Sequence, residues 1–394
     1  MLKHLALVLA GAMILPAFAM ADIKMGVILG FTGPIESLTP DMGGSAEVAF
    51  KEASDSGLLL GGQKIVSVRA DSTCIDNAAA TAAAERLVTA EKVAGIMGAD
   101  CSGVTTAVAN NVAVPNGVPM ISPSATSPAL TTIADNGYFF RTAPSDARQG
   151  QVLASITVER GITSVAVTYV NSDYGKGLSD SFGKAFQALG GTVTISVPHE
   201  TGKADYSAEV ASMDSAGGDA MAVFGYVNQG GPGIMQASLD SGSFDKFILA
   251  DGMYGDDLLT NVEGDLTGTF GTVPGTDSKG AATYADMANA AGLKGSGPFT
   301  GESYDAAALL ILAMQSAGST DGAAIASNVM GVANAPGEKI MPGELAKGLR
   351  ILANGGAVDY VGATNVELTG VGEASGSYRE FEIRNKAFQT VRFR

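Results

Sequence analysis

Residues 93–133 hold two strand–turn–helix units in immediate succession, a repetition that a chain satisfies most simply as a parallel α/β sheet covered by helices. The strands are short and rich in Val, Ile and Met: Val93-Ala-Gly-Ile-Met-Gly98 and Val118-Pro-Met-Ile-Ser122. The first is followed by Asp-Cys-Ser-Gly and a predicted helix from Val104 to Val114. The second is followed by Pro-Ser-Ala-Thr-Ser-Pro and a predicted helix over Ala129-Leu-Thr-Thr-Ile133. Each turn brings small hydroxylated residues (Ser102, then Ser124 and Thr126) beside backbone N–H groups that a new helix leaves unpaired, where its dipole adds positive potential. Such a turn can cradle a carboxylate or a phosphate. Taken singly, each of these residues is also an ordinary helix cap. Two in succession, at strand carboxyl ends where α/β ligands gather, point to a site.

The alternation extends in both directions. Strand Ile23–Leu29, a loop 30–43, a helix with Ala46, Ala49, Phe50 and Ala53 on one face, strand 65–70 and an Ala-rich helix 77–90 complete a first run of repeats. A second run follows Tyr138-Phe-Phe-Arg-Thr-Ala143. It comprises helix 146–160, strand 164–170, the turn Asn171-Ser-Asp-Tyr-Gly-Lys-Gly177, helix 178–189 and strand 192–198. Helix 205–216, strand 219–226, helix 232–241, strand 246–250 and a short helix near 256–262 complete it. Two parallel sheets, hence two lobes, are implied.

Beyond Pro274 the pattern is helical (280–291, 302–317, 321–333, 343–353), and the tail alternates as a hairpin, Tyr378–Arg384 and Phe388–Phe393. Helices without intervening strands build no third sheet, so they are expected to cover the first. The predicted division is lobe one from 22–142 and 272–358, and lobe two from 143–271 and 359–394. The chain then crosses between lobes near 142–145, 269–274 and 357–363. Three crossings make a hinge, with strand-end loops of both lobes facing one cleft.

Export is indicated by the first 21 residues: basic Lys3, an apolar run Leu5–Phe18, and Ala19-Met20-Ala21 as a cleavage pattern, the layout of a secretory signal peptide. The remaining chain of about 370 residues suits two domains. Its formal charge of -16 becomes -17 without Lys3, which repels nucleic acid and anionic membrane, so neither is expected as a partner. The two cysteines, Cys74 and Cys101, lie in the exported part, where thiols oxidise. A bridge would pin the loop after strand 65–70 to the Ser102 turn; the alternative, a redox pair, lacks a C-x-x-C spacing. Only His199 remains after the signal, too little for a histidine zinc site or a Ser-His-Asp triad. No cofactor and no metal are expected.

The second lobe offers the cleft Tyr174, Tyr226 and Asp251. Hydroxyl turns facing an acid match a zwitterion, with carboxylate on the Ser/Thr turns, ammonium on Asp251 and aromatic rings against the aliphatic part. Read one by one, Asp251 is also a turn cap, and the two tyrosines are also half-buried packing residues.

Five segments resemble the branched-chain amino acid (Leu/Ile/Val) binding proteins of bacterial ABC importers: Ile23 to Pro34; Asp71-Ser-Thr-Cys74; Gly98 to Ser102; Ile121-Ser-Pro-Ser-Ala-Thr-Ser-Pro-Ala-Leu130; and Asp173-Tyr-Gly-Lys-Gly177. The resemblance implies the type I periplasmic-binding fold, two Rossmann-like lobes with parallel central sheets joined by a three-stranded hinge. It also implies a periplasmic, monomeric receptor that captures an amino acid or related solute and hands it to a membrane permease. By the same resemblance, Ser102 and Thr126 bind the ligand carboxylate, the Ser124 carbonyl and Asp251 take the ammonium, and Ala125, Tyr174 and Tyr226 complete the ligand-binding set. The two cysteines match that family's lobe-one disulfide. Two departures stand out: the first cleft loop, Leu38-Thr-Pro-Asp-Met-Gly43, lacks the family's aromatic before its Gly and is longer, and Asp251 stands where Glu is common.

The head-group site is thus better defined than the side-chain pocket, whose selectivity is expected from residues around 36–42, 225–229, 253–255 and 302–305. Within the fold, the competing function is a sensor of amides, urea or a carboxylate. Outside it, a secreted α/β hydrolase would need a G-x-S-x-G elbow, which the chain does not contain. A metal receptor would have to gather Asp251, Asp256 and Asp257.

Overall fold

A computed structural model of the chain describes residues 21–394, so the predicted signal peptide lies outside the described residues except for Ala21. The first sheet contains β1 (Ile23–Leu29), β2 (Ile65–Asp71), β3 (Ile96–Gly98), β4 (Met120–Ser122) and β5 (Phe139–Pro144), all parallel, in the order β2-β1-β3-β4-β5. Strands covered on both faces should read as unbroken apolar runs. β1 obeys, with every residue buried except Lys24. Helices α1 (Thr39–Ser56), α2 (Asn77–Glu85) and α3 (Ser102–Val108) fill the crossovers, and α3 continues as a wider π turn through Ala113.

The second sheet pairs β6 (Ser164–Val170), β7 (Thr192–His199), β8 (Ala220–Phe224), β9 (Phe247–Leu249) and β10 (Phe270–Pro274) in parallel, in the order β10-β9-β8-β6-β7. Its crossovers are α4 (Asp146–Glu159), α5 (Asp173–Ala188), α6 (Ser207–Ala216), α7 (Gly231–Ser241) and the short α8 (Asp256–Asn261). The remaining helices, α9 (Lys279–Ala290), α10 (Thr300–Ala317), α11 (Gly322–Ala333) and α12 (Leu345–Ala353), build up the first lobe as expected. α10 packs on α1 and under β3–β5, burying Leu309, Leu310, Ile311, Leu312 and Met314 completely. Each such side chain is worth about 1.5–3 kcal/mol of burial. A small parallel pair, β11 (Glu338–Ile340) with β12 (Val358–Tyr360), sits beside α12.

Three boundaries differ from the sequence reading in ways that shape the cleft. The residues after the second turn wind not an α-helix but a five-residue 3₁₀ segment, Pro128–Thr132, capped by Ser127. α5 starts at Asp173, five residues earlier than predicted, because Ser172 caps it by accepting the Gly175 N–H, and this puts Tyr174 in the first turn. The tail differs most. Residues 359–394 do not all join the second sheet: β13 (Glu373–Ala374) pairs with β5 at the edge of the first, and only β14 (Tyr378–Arg384), antiparallel to β10, and β15 (Ala387–Phe393), antiparallel to β14, extend the second. The hinge crossings therefore fall at 145, 275–278 and 375–377, the second and third later than expected. Two of them are stitched together, since Gly275 N–H donates to the Ser377 carbonyl and the Ser377 hydroxyl returns to the Gly275 carbonyl.

Cys74 and Cys101 are joined, with their Cα atoms 5.1 Å apart and a separation of 27 in sequence. Closing a loop of that length stabilises by about 3.5 kcal/mol in the chain-entropy estimate. Replacing both by Ala is expected to lower the urea-unfolding free energy by about 2–4 kcal/mol, and a loss under about 0.5 kcal/mol overturns the structural role.

Candidate functional site

The loops at the carboxyl ends of both sheets meet across the interlobe cleft. Asn228 of the second lobe donates its N–H to the Pro34 carbonyl (3.0 Å), and its side-chain oxygen accepts from the Ser37 N–H and hydroxyl (3.1 and 2.9 Å). Lys294 and Asp256 pair at 2.9 Å on the rim. Beneath these contacts lies a cavity of about 360 Å³.

Five of the predicted site residues line it: Ser102 and Ser124 from the first lobe, Tyr174, Tyr226 and Asp251 from the second. The tyrosine rings stack 5.4 Å apart. The Tyr174 hydroxyl donates to an Asp251 carboxylate oxygen (3.2 Å) and accepts the Gly252 N–H (3.2 Å), which fixes that carboxylate at the cavity wall. Ala125 and Thr126 do not line the cavity; both are buried beside it. The Ser102 hydroxyl accepts the Ser127 N–H (3.0 Å), leaving its own proton free to donate.

Three features at or behind the wall go beyond the predicted ligand-binding set. Ile35 and Leu38 of the first loop, Met42 in α1 and Phe299 form an apolar side; Leu38 and Met42 fall in the 36–42 stretch expected to set selectivity, whereas Ile35 and Phe299 lie outside the expected stretches. Phe299 holds a left-handed backbone (φ 58°), a conformation that is costly for a bulky residue and collects at ligand sites. The stretches 253–255 and 302–305 do not reach the cavity. Asp100 also lines it but is already satisfied, accepting from the Gly30 N–H (2.6 Å) and the Ser72 hydroxyl (2.8 Å), and so ties β1 to β2.

The third feature is Asp146, the first residue of α4, which lies behind the wall rather than in the cavity lining. It is fully buried, and neither carboxylate oxygen has a hydrogen-bond partner among the described residues. Its backbone N–H donates to the Thr126 carbonyl (2.8 Å), which brings it beside the Thr126 hydroxyl, itself unpartnered. Burial raises the pKa of Asp146 well above the ordinary carboxyl range, and the neighbouring charge of Asp251 raises it further. Burial raises Asp251 as well. Neither forms an ion pair with a Lys, Arg or His among the described residues. A hydrophilic residue opening a helix after Pro144-Ser145 reads as first-turn charge, so nothing local in the sequence singled it out.

The loop behind this cluster is held from below by Arg141, only 1% exposed. Its guanidinium donates to the Ala125 and Ser127 carbonyls (3.0 and 2.9 Å), to the Thr131 hydroxyl (2.9 Å) and to Glu373 on β13 (2.5 Å). The triad Asp251, Asp256 and Asp257 does not assemble. Asp256 turns to Lys294 and Asp257 accepts from Asn228 (2.6 Å), and no metal-holding cluster occurs among the described residues.

Two lobes of parallel sheet, three crossings and a closed cleft lined from both sides agree with what comparison finds: residues 22–345 match the family model described as periplasmic binding protein. The chain belongs to the periplasmic binding protein family. Among curated relatives of this periplasmic binding protein, Leu/Ile/Val-binding protein homolog 1 of Brucella abortus is 30% identical over 308 residues, covering 77% of this chain and 81% of the relative. Among solved structures, the leucine-binding protein LivK of Thermotoga maritima superposes with a TM-score of 0.77 at 24% identity, covering 94% of this chain and 98% of that one. A solute-binding protein of an ABC transporter from Rhodopseudomonas palustris, solved with 4-hydroxybenzoate, superposes with a TM-score of 0.74 at 19% identity over 95% and 97% of the two chains. As a member of this family the periplasmic binding protein is a solute-binding receptor, and no described helix is long and apolar enough to cross a membrane.

Proposed function

We propose that the protein is an exported receptor that captures a small aliphatic α-amino acid between its lobes by hinge closure and delivers it to an ABC permease as a monomer, its signal peptide having been removed. The observation that carries this reading is the pair Asp251 and Asp146, two buried carboxylates, the first at the cavity wall and the second behind it beside Thr126, neither of them ion-paired among the described residues. A buried charge without a partner costs several kcal/mol, and a ligand ammonium relieves that cost. The carboxylate of the same ligand is assigned to the free hydroxyls of Ser102 and Thr126, with the Ser124 carbonyl as a further acceptor for the ammonium. Ala125 holds the spacing between them. Tyr174 and Tyr226 cover the ligand's Cα, and Ile35, Leu38, Met42 and Phe299 surround its side chain. These four apolar side chains on one side of the cavity favour an aliphatic side chain over a polar one.

The Rhodopseudomonas structure raises a second reading, an aromatic carboxylate. Such a ligand brings no cation to Asp251 and Asp146, so the same observation weighs against it. A thermal-shift screen with L-alanine, L-valine, L-leucine, L-isoleucine and 4-hydroxybenzoate decides between them. At a hundred times its dissociation constant the true ligand should stabilise by about 2.7 kcal/mol. It should also reduce the radius of gyration in solution scattering and be recovered intact by mass spectrometry. A response to 4-hydroxybenzoate with none to the amino acids overturns the amino acid reading, and a consumed ligand overturns the receptor reading.

A further inference from the structure

A second cavity, of about 560 Å³, opens on the hinge and is separate in its lining from the cleft. One lobe contributes Tyr284, Thr300 and Glu302; the other contributes Pro274, Arg379 and Phe393. Glu302 is 5% exposed, yet no donor within the described residues reaches its carboxylate. Its backbone carbonyl accepts the Thr142 hydroxyl (2.8 Å), so the residue is fixed to the end of β5, next to the first crossing. The same side chain lines a smaller recess bounded by all three crossings, at Pro144, Gly275 and Gly376. Nothing in the cleft requires a carboxylate here. The nearby acid, Asp305, is already satisfied by the Tyr360 hydroxyl, the Ala363 and Thr364 N–H groups and the Thr364 hydroxyl.

Arg379 faces Glu302 from β14 without pairing with it. Its buried Nε has no hydrogen-bond partner among the described residues, and its guanidinium carbon lies 4.8 Å from the Tyr254 ring centre. Among the described residues no ion pair joins it to any carboxylate. Glu302 and Arg379 therefore face one cavity from opposite lobes without pairing with each other. Burial pushes the Glu302 carboxyl up to about 8, so a cationic group entering the cavity favours its ionised form.

We propose that the hinge cavity is a second binding site, for a small zwitterion whose cationic nitrogen meets Glu302 and whose carboxylate meets Arg379. The walls of Tyr284, Pro274 and Phe393 suit a short aliphatic linker between the two charges. A molecule held this way ties the lobes together at the hinge in the geometry that shuts the cleft. It therefore strengthens binding in the cleft, and by reciprocity the cleft ligand strengthens binding at the hinge. The site stands on residues that the amino acid reading does not use.

Calorimetry on the mature protein with glycine, β-alanine, 4-aminobutyrate and 5-aminopentanoate varies the separation of the two charges, with propylamine and propionate as single-charge controls. The Asp251→Asn variant removes the acid assigned to the cleft and isolates the hinge. At least one zwitterion is expected to bind Asp251→Asn with one molecule per chain, more tightly than either control. Its affinity should fall about tenfold or more in Glu302→Gln and in Arg379→Met built on that background, the scale of a lost hydrogen bond to a charged group. Thermal unfolding of each variant shows that it is folded, and Glu302→Gln preserves shape should Arg379→Met unfold. The proposal is overturned if none of the four binds Asp251→Asn, if the controls bind as tightly, or if binding survives Glu302→Gln unchanged. The amino acid reading fails separately, in the screen of the unmodified protein.

Discussion

Replacing Asp251 by Asn is expected to weaken binding of the aliphatic amino acid by about 2–5 kcal/mol, the range for removing one partner of a buried charge pair. The substitution keeps the shape and the hydrogen bond from Tyr174 while removing charge opposite the ammonium. Asp146→Asn is expected to weaken binding in the same direction, and it carries a second signature. In the folded protein Asp146 titrates well above its unfolded value because of burial and the Asp251 charge. A raised carboxyl pKa contributes stability that is fully present below the unfolded pKa of about 3.9 and is lost as pH rises through the folded value. Ligand-free protein should therefore melt at lower temperature as pH rises from 5 to 8, and Asp146→Asn should flatten that slope and melt higher at pH 7. A site that holds uncompensated charge for its ligand trades stability for affinity in this way. Calorimetry and melting curves on both variants check it; an Asp251→Asn protein that binds like the unmodified one removes the ammonium assignment.

The parallel two-sheet architecture was legible because it rests on long periodic segments, and most helices fell within two or three residues of their predicted bounds. The four helices without strands were placed on the first lobe by elimination, and α10 shows the physical reason: a helix apolar all round has to be buried between α1 and a sheet. What escaped was decided by tertiary contact. Two residues of β13 carry no strand signal of their own, and they pair with β5 beside Glu373, whose carboxylate meets Arg141. Ser102, Ser124, Tyr174, Tyr226 and Asp251, candidates from strand-end positions and from the resemblance, line one cavity. Asp146 was missed because an acid in the first turn of a helix is ordinary until the neighbouring lobe buries it. Phe299 is a plain core residue in the sequence, and only its place between the lobes makes it part of the pocket wall.

Arg141→Met is expected to lower the unfolding free energy by about 3–5 kcal/mol, because it strips one partner from a buried ion pair and leaves the other groups stranded. Glu373 is left without its cation, and the Ala125 and Ser127 carbonyls lose their donor inside the protein. The loss reaches the site as well. Those carbonyls flank Thr126, so the guanidinium is one of the restraints on where the Thr126 hydroxyl points, beside the bonds from the Asp146 N–H to the Thr126 carbonyl and from the Ser127 N–H to the Ser102 hydroxyl. Urea unfolding should show a lower midpoint with an unchanged slope. Adding Glu373→Gln to Arg141→Met should recover part of the stability by removing the stranded charge, whereas the affinity for the amino acid should stay low in the double variant because the loop remains untethered. If the double variant regains full affinity, Arg141 serves the fold alone, and the 125–131 loop keeps its shape by other means.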